Sequence, residues 1–265
     1  MKTKSIITNV ALALTLGVVY TSCNKTTDSV LDTDTSSSTD NSTSDNAFSG
    51  IFKSVSQASD TSSHLKALVC PQVTISAITG TGWPRTVTID YGTAGCDNRK
   101  GKIIAVLSGP FRTPSSTITI TTNNYYDGLN KIDAGTHTVT NITPVTGHPT
   151  FSVSVTGAVI TTPGGVVSWN TQRTITWIEG DTTINAADDV YLISGQASGT
   201  SAKGVTFTAN ITTPLRVARS CQWIESGVIT LTPAGKAART IDFGTSGCDA
   251  NATVIINGKS YPVTM

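Results

Sequence analysis

The stretch Phe151-Ser152-Val153-Ser154-Val155 alternates a large apolar residue with serine. In an extended strand, successive side chains point to opposite faces of the sheet, so this alternation places one face in a core and the other in water. The same pattern, usually with threonine as the polar residue, recurs at residues 73–76, 86–89 and 118–121. Threonine suits such a strand because its branched side chain packs on a pleated surface while its hydroxyl stays hydrated. The pattern predicts half-buried β-strands.

Turn signals separate such stretches along most of the chain. The pair Asn257-Gly258, for example, is typical of a type I′ hairpin. Further strands are predicted at residues 102–108, 135–141, 166–178, 190–197, 205–211, 215–223, 228–232, 239–243, 253–256 and 260–263. Strands that follow one another through short turns pair antiparallel. The predicted fold is therefore all-β: an antiparallel meander that forms a large twisted sheet or a sandwich, as a single domain over residues 70–265.

One motif occurs twice in the chain. Asp90-Tyr91-Gly92-Thr93-Ala94-Gly95-Cys96-Asp97 returns as Asp242-Phe243-Gly244-Thr245-Ser246-Gly247-Cys248-Asp249. Each copy follows another cysteine, Cys70 or Cys221, at nearly the same distance. In an oxidising compartment this spacing favours two disulfides, Cys70–Cys96 and Cys221–Cys248, one pinning each end of the domain. Four cysteines allow three pairings, so a bond between the two copies stays open if they lie side by side.

The aspartates of the repeated motif allow two interpretations. Asp90 with Asp97, or Asp242 with Asp249, could offer oxygen ligands to calcium. However, calcium takes six to eight oxygens and each loop supplies only two carboxylates. The favoured interpretation is a hairpin corner in which aspartates bond nearby backbone amides. No metal is predicted. Zinc is disfavoured because no Cys-x-x-Cys spacing occurs and the histidines do not lie at zinc-ligand spacing from the cysteines.

The N-terminal residues predict an export signal. Lys2 and Lys4 precede a mostly apolar run over residues 6–20, which is shorter than the ~20 residues that span a bilayer. The Thr21-Ser22-Cys23 ending resembles the lipobox of bacterial lipoproteins, although Tyr20 stands where leucine is usual. The resemblance implies that residues 1–22 are a lipoprotein signal peptide and that Cys23 carries the lipid, including palmitate. The alternative is ordinary cleavage near Ser22, which leaves Cys23 as a free thiol.

Residues 23–46 consist almost wholly of Ser, Thr, Asp and Asn. Such a segment has little apolar surface to bury, so it is predicted to be a disordered tether. Residues 47–69 then form a short, partly helical lead-in, because Phe48, Ile51, Phe52 and Val55 recur at helical spacing.

The charge of the chain excludes several classes of partner. Only 13% of residues are charged and the formal net charge is +1. A nucleic-acid-binding protein needs a clustered positive surface, which this sequence lacks. Nucleic acid is therefore not an expected partner, and nothing in the sequence implies a cofactor.

The sequence lacks several common enzyme signatures. It has no Gly-x-Ser-x-Gly elbow, no His-Glu-x-x-His helix and no phosphate loop. A glycosidase carboxylate pair is conceivable among Glu179, Glu225, Asp188 and Asp189, with Trp177 beside a sugar. The favoured interpretation is a solvated strand end next to a core tryptophan, and no catalytic residue is assigned.

Several segments carry a family resemblance. The Asp-Tyr/Phe-Gly…Cys-Asp turn, the hairpin at residues 252–259, Thr213-Pro214-Leu215-Arg216-Val217 and residues 189–195 resemble a group of uncharacterised lipoproteins of Bacteroidota-type bacteria. The likeness covers most of the chain from Cys70 onward. It implies an all-β build and a lipid anchor in the outer membrane, facing the periplasm or the cell surface. It implies no activity.

These observations lead to three functional hypotheses. The first is a membrane-anchored extracytoplasmic lipoprotein with a binding or structural role at the cell surface, taking a glycan or a protein as ligand. The second is a glycan-active hydrolase, and the third is a calcium-binding surface module.

Overall fold

The computed structural model describes residues 31–60, 70–77, 82–183, 185–245 and 247–265. Residues Asp32–Met265 belong to one compact unit. Its elements are α1 (Ser36–Asp60), β1 (Gln72–Ala77), β2 (Arg85–Asp90), β3 (Arg99–Leu107), β4 (Thr117–Asp127), β5 (Asn130–Asp133), β6 (Thr136–Asn141), β7 (Thr150–Thr162), β8 (Gly165–Glu179), a short 3-10 helix (Ala186–Asp188), β9 (Val190–Thr200), β10 (Thr206–Ala218), β11 (Ser226–Pro233), β12 (Arg239–Asp242), β13 (Asn251–Ile256) and β14 (Lys259–Thr264).

The 14 strands of the described residues belong to one antiparallel sheet in which chain neighbours are sheet neighbours. The exception is that β5 and β6 both lie between β4 and β7, pairing with different parts of each. The predicted all-β antiparallel meander is confirmed, and it takes the single-sheet form. The Asn257-Gly258 hairpin is present between β13 and β14, with both residues at positive φ.

The sheet curls around α1. Eighteen of the 25 helix residues are buried, whereas a helix on a protein surface keeps one face in water. Strands β2 and β10 lie far apart in the sheet order, yet Tyr91, just after β2, and Cys221, just after β10, bond the adjacent helix residues Ser54 and Lys53. A flat sheet could not bring both strands to one segment, so the sheet is rolled with α1 inside.

The second half of α1 supplies the apolar core. Phe52 packs edge-on against Phe151 and Tyr191, with ring centroids 5.5 and 5.4 Å apart. Phe48 lies 4.9 Å from the Trp169 ring. Edge-to-face and offset contacts of this kind add stability beyond simple burial. The apolar residues that recur at helical spacing in this segment thus form the face of α1 that packs against the sheet.

The first half of α1 corrects the sequence prediction. Residues 36–46, predicted to belong to a disordered tether, are helical and mostly buried. Asn41 accepts a hydrogen bond from Trp169 Nε1 (3.1 Å), and Asp45 forms a 2.6 Å ion pair with Arg173 in which both side chains are 4% exposed. Composition misleads here because Asn41 and Asp45 find partners inside the roll, which offsets their loss of hydration. The buried hydroxyls of Ser36, Ser38 and Ser42, in contrast, have no hydrogen-bond partner among the described residues.

The position of α1 also changes the predicted boundaries of the N-terminal regions. The lead-in predicted at residues 47–69 is part of a longer helix up to Asp60, and residues 61–69 lie outside the described residues, as do the predicted signal peptide (1–22) and Cys23. The compact unit begins at Asp32 instead of the predicted residue 70, because α1 is part of its core. Among the described helices, none combines the length and apolar character that a bilayer span requires.

Candidate functional site

Both predicted disulfides are present in the structure. Cys70 bonds Cys96 and Cys221 bonds Cys248, with Cα–Cα distances of 6.2 and 5.5 Å. We call the first bond, with the turn at residues 90–97, the first clasp, and the second bond, with the turn at residues 242–249, the second clasp. The first clasp ties the start of β1 to the β2–β3 turn, and the second ties the β10–β11 connection to the β12–β13 turn.

The repeated turn has the same hydrogen bond, from a backbone amide to an aspartate side chain, in both clasps. Asp90 Oδ1 accepts from the Gly92 amide (2.9 Å) and Asp242 Oδ1 accepts from the Gly244 amide (2.8 Å). The two glycines have φ of +71° and +83°, a region that glycine enters without steric cost. The motif therefore recurs because both corners need the same aspartate-capped turn.

The aspartates of the clasps are accordingly occupied with local structure. Asp249 also caps a backbone amide, that of Asn251 (2.8 Å), and Asp97 has a left-handed φ of 50°. In the described part of the chain no group of three or more His, Cys, Asp or Glu side chains could hold a metal ion. The calcium hypothesis gains no support from this geometry.

Adjacent residues of α1 tie the helix to both clasps. Ser54 Oγ lies 3.1 Å from the Tyr91 hydroxyl of the first clasp. Lys53 Nζ donates to the carbonyl of Cys221 in the second clasp (2.6 Å). Lys53 is only 4% exposed, and burial together with repulsion from Arg219 and Arg99 lowers its pKa to about 7. The helix thus links the two ends of the sheet at a single point.

Two of the candidate carboxylates form an ion-paired cluster. Arg216 lies between them: its Nη1 is 2.9 Å from Glu179 Oε1 and its Nε is 3.2 Å from Glu225 Oε2. A glycosidase pair needs open space between its carboxyl groups for the sugar and, in inverting enzymes, a water molecule. Here the guanidinium fills that space, so the arrangement is a structural ion pair on the surface.

The other two candidate carboxylates lie beside the 3-10 helix. Asp188 accepts from Thr183 Oγ1 (3.0 Å), and Asp189 is 5% exposed with its Oδ2 3.4 Å from the Tyr191 hydroxyl. Burial raises the pKa of Asp189 to about 6. Trp177 is only 2% exposed, so it offers no open face to a sugar, and the Arg112 guanidinium packs over its ring. The structure therefore separates the four carboxylates into two local clusters.

A large concave surface lies on the outer face of the roll. This outer groove crosses β7–β11 and has a volume of about 550 Å³, within the range of known ligand sites. Its lining consists of uncharged residues, most of them amides and hydroxyls: Val155, Thr156, Asn170, Thr171, Gln172, Gln196, Ala197, Ser198, Thr208, Ala209, Asn210, Thr230 and Thr232. β-Bulges interrupt the β7–β8 and β9–β10 ladders at this point, and bulges bend the strands that carry them.

The polar side chains of the outer groove form rows across the strands. In one row Gln172 pairs with Gln196, which pairs with Asn210, which pairs with Thr230. Neighbouring strands lie about 4.8 Å apart, so the row presents amides at a regular spacing. Gln172 donates to Ser154 (2.7 Å), whereas the Gln196 and Asn210 side chains form no hydrogen bond with other described residues. These two amides remain available to a ligand.

Sequence reasoning did not single out the groove residues. Alternation shows that Gln172, Gln196 and Asn210 face away from the core, but it cannot show that their strands are neighbours. A usable signal is the run of amides at outward positions of strands that otherwise carry Thr and Ser. The concavity itself depends on bulges, which the pattern does not reveal.

Comparison with known proteins adds no relatives: no family model, no curated protein and no solved structure matches this chain.

Proposed function

We propose that this protein is a lipid-anchored extracytoplasmic lipoprotein, attached to the outer membrane through Cys23, whose outer groove binds an uncharged glycan chain. The anchor rests on the export signal and on the lipobox resemblance at Thr21-Ser22-Cys23. The ligand class rests on one observation, the charge-free groove of amides and hydroxyls across β7–β11.

The lining of the groove favours a glycan because each of its polar side chains can pair with a hydroxyl group. An amide both donates and accepts, which matches the donor and acceptor character of a sugar hydroxyl. Among the described residues no charged side chain lines the groove, so an ionic ligand would lose its hydration without gaining a partner. An extended chain running across the strands would meet the amides of Gln172, Gln196 and Asn210 in succession.

The binding proposal is tested with the purified chain from Asp32 to Met265, screened on a glycan array and then titrated by calorimetry with the neutral oligosaccharides that bind. Gln196→Ala with Asn210→Ala should weaken the titrated affinity at least about tenfold, because two hydrogen bonds of ~1 kcal/mol are lost. Thr121→Ala, an exposed change on β4 outside the groove, is the matched control and should leave the affinity unchanged. Absence of any neutral glycan ligand, or full affinity in the double variant, would overturn the proposal.

The anchor is tested separately by labelled palmitate. Full-length protein expressed in a bacterium with lipoprotein processing should incorporate the label, and Cys23→Ser should not. Equal labelling of both would refute the assignment of Cys23.

A further inference from the structure

A second concave site lies at the first clasp. This clasp pocket has a volume of about 390 Å³ and is lined by Asp90, Gly92, Thr93, Lys100, Gly101, Lys102, Asn123, Asn124 and Tyr126. A β-bulge between β3 and β4 shapes this pocket. The register of the two strands shifts between Lys100 and Lys102, and Gly101 has a φ of +82°. A Cβ at residue 101 would lie 1.9 Å from the Asn124 carbonyl oxygen, so the bulge brings β3 and β4 together in a way that only glycine permits.

Most polar side chains of the clasp pocket have unused bonding capacity. The side chains of Thr93, Asn123 and Asn124 and the Tyr126 hydroxyl form no hydrogen bond with other described residues. Since these groups sit together around one concavity, a ligand rich in hydroxyls could satisfy several of them at once. Tyr126 adds an aromatic side chain of the kind that packs against the apolar face of a sugar ring.

The charges of the clasp pocket favour a ligand that places one carboxylate group in it. Lys102 Nζ is already held by Asp90 Oδ2 at 2.9 Å, and this bond lowers the pKa of the Asp90 carboxyl. Lys100 Nζ lies 4.6 Å from the centre of the Tyr126 ring and has no carboxylate within 4 Å in the described part of the chain. Two ammonium groups and one carboxylate leave a single positive charge for a ligand to neutralise.

The second clasp provides an internal comparison. At the position across from Asp242 stands Thr253, where Asp90 faces Lys102 in the first clasp. The β12–β13 pairing is regular, without the extra glycine, and β13 is followed by β14, whose residues opposite Ala252 and Thr253 are Val263 and Pro262. The shared turn therefore does not require the lysines, the bulge or the tyrosine. These features of the first clasp need another explanation.

We propose that the clasp pocket binds a sugar residue that carries a carboxylate group, such as a uronic acid. The Lys100 ammonium pairs with the carboxylate, while the amides of Asn123 and Asn124 bond the ring hydroxyls and Tyr126 contacts the ring. This site is independent of the outer groove, because the two share no residue.

The test is a calorimetric titration of the purified Asp32–Met265 chain with trigalacturonic acid, with neutral galactotriose and with inorganic phosphate. Trigalacturonic acid should bind, and its affinity should fall as sodium chloride rises from about 0.05 to 0.5 M, because salt screens an exposed charge pair. Lys100→Gln should weaken this binding about five- to tenfold through loss of a charged hydrogen bond. Lys259→Gln, an exposed lysine at the start of β14 beyond the second clasp, is the matched control and should have no effect.

Other outcomes would overturn the proposal. Galactotriose binding as tightly as trigalacturonic acid would refute the role of the charge, and phosphate binding as tightly would reduce the pocket to a simple anion site. No binding at all, or binding that Lys100→Gln leaves unchanged, would remove the site altogether. Unfolding of Lys100→Gln is checked by its melting temperature, and Tyr126→Leu serves as a second variant expected to weaken binding. Gln196→Ala with Asn210→Ala should leave trigalacturonic acid binding intact, which separates this result from that of the outer groove.

Discussion

The first and second clasps share the aspartate-capped turn, but the helix meets them through different chemistry. In the first clasp the aromatic residue of the turn is Tyr91, whose hydroxyl bonds Ser54 of α1 and Arg99 (3.4 Å). In the second clasp it is Phe243, which is buried and has no polar group to offer. There the backbone carbonyl of Cys221 accepts from Lys53 instead. The repeated motif therefore determines only the conformation of the turn, and the contacts with α1 differ between the two clasps.

The largest effect should come from opening the clasps. Replacing Cys70 and Cys96 by alanine, or Cys221 and Cys248, frees a loop of 26 or 27 positions, which should lower the free energy of unfolding by about 3.5 kcal/mol each. The second pair should cost more, because Cys221 is 2% exposed and its carbonyl holds Lys53. Urea denaturation of the two double variants measures this difference. Equal stability of either variant and the parent chain would mean that the clasp is dispensable.

The next largest effect should be a pH dependence of stability that arises from Lys53, the helix residue that contacts the second clasp. Lys53 titrates at about 7 in the folded chain and at 10.5 in the unfolded chain. Between these values the unfolded chain binds a proton that the folded chain lacks, so stability should rise with pH by at most about 1.4 kcal/mol per unit. Lys53→Met should abolish this rise, as measured by urea denaturation between about pH 7 and pH 9.5. A rise that persists in the variant would show that another group is responsible.

The smallest effect should come from exchanging the aromatic residues of the two turns. Tyr91→Phe gives the first clasp the residue of the second and removes the hydroxyl that Ser54 and Arg99 contact, which should cost about 1 kcal/mol. The reverse change, Phe243→Tyr, buries a hydroxyl without a described partner and should also destabilise the chain. Thermal unfolding followed by circular dichroism compares the two. If Tyr91→Phe melts at the same temperature as the parent chain, the hydrogen bond between the Tyr91 hydroxyl and Ser54 does not contribute to stability.

The sequence predicts the sheet well and the helix poorly, for identifiable physical reasons. Alternation at residues 151–155 is a local signal, and strands linked by short turns such as Asn257-Gly258 have few ways to pair. The cysteine spacing is local in the same sense, since each bond closes within one repeat. Residues 36–46 are different, because their helix is stable only through distant partners such as Trp169 and Arg173.

The candidate sites were less accessible to sequence reasoning than the fold. The outer groove combines residues from β7 to β11, and the clasp pocket depends on the bulge at Gly101 opposite Asn124. Neither the curvature of the sheet nor the position of a bulge can be inferred from alternation. Glu179 illustrates the converse: it stood out beside Trp177 in the sequence, but its partner in space is Arg216.

The enclosed position of α1 has a consequence for the order in which the chain folds. Its first eleven residues, 36–46, are all Ser, Thr, Asn or Asp, which are weak helix formers, so the segment has little tendency to become helical alone. Its partners Trp169, Arg173 and Ala202 lie more than a hundred residues downstream. Contacts of such long sequence separation form slowly, since distant parts of the chain must first meet. The segment made before the sheet by the ribosome is therefore expected to be the last to acquire its native structure.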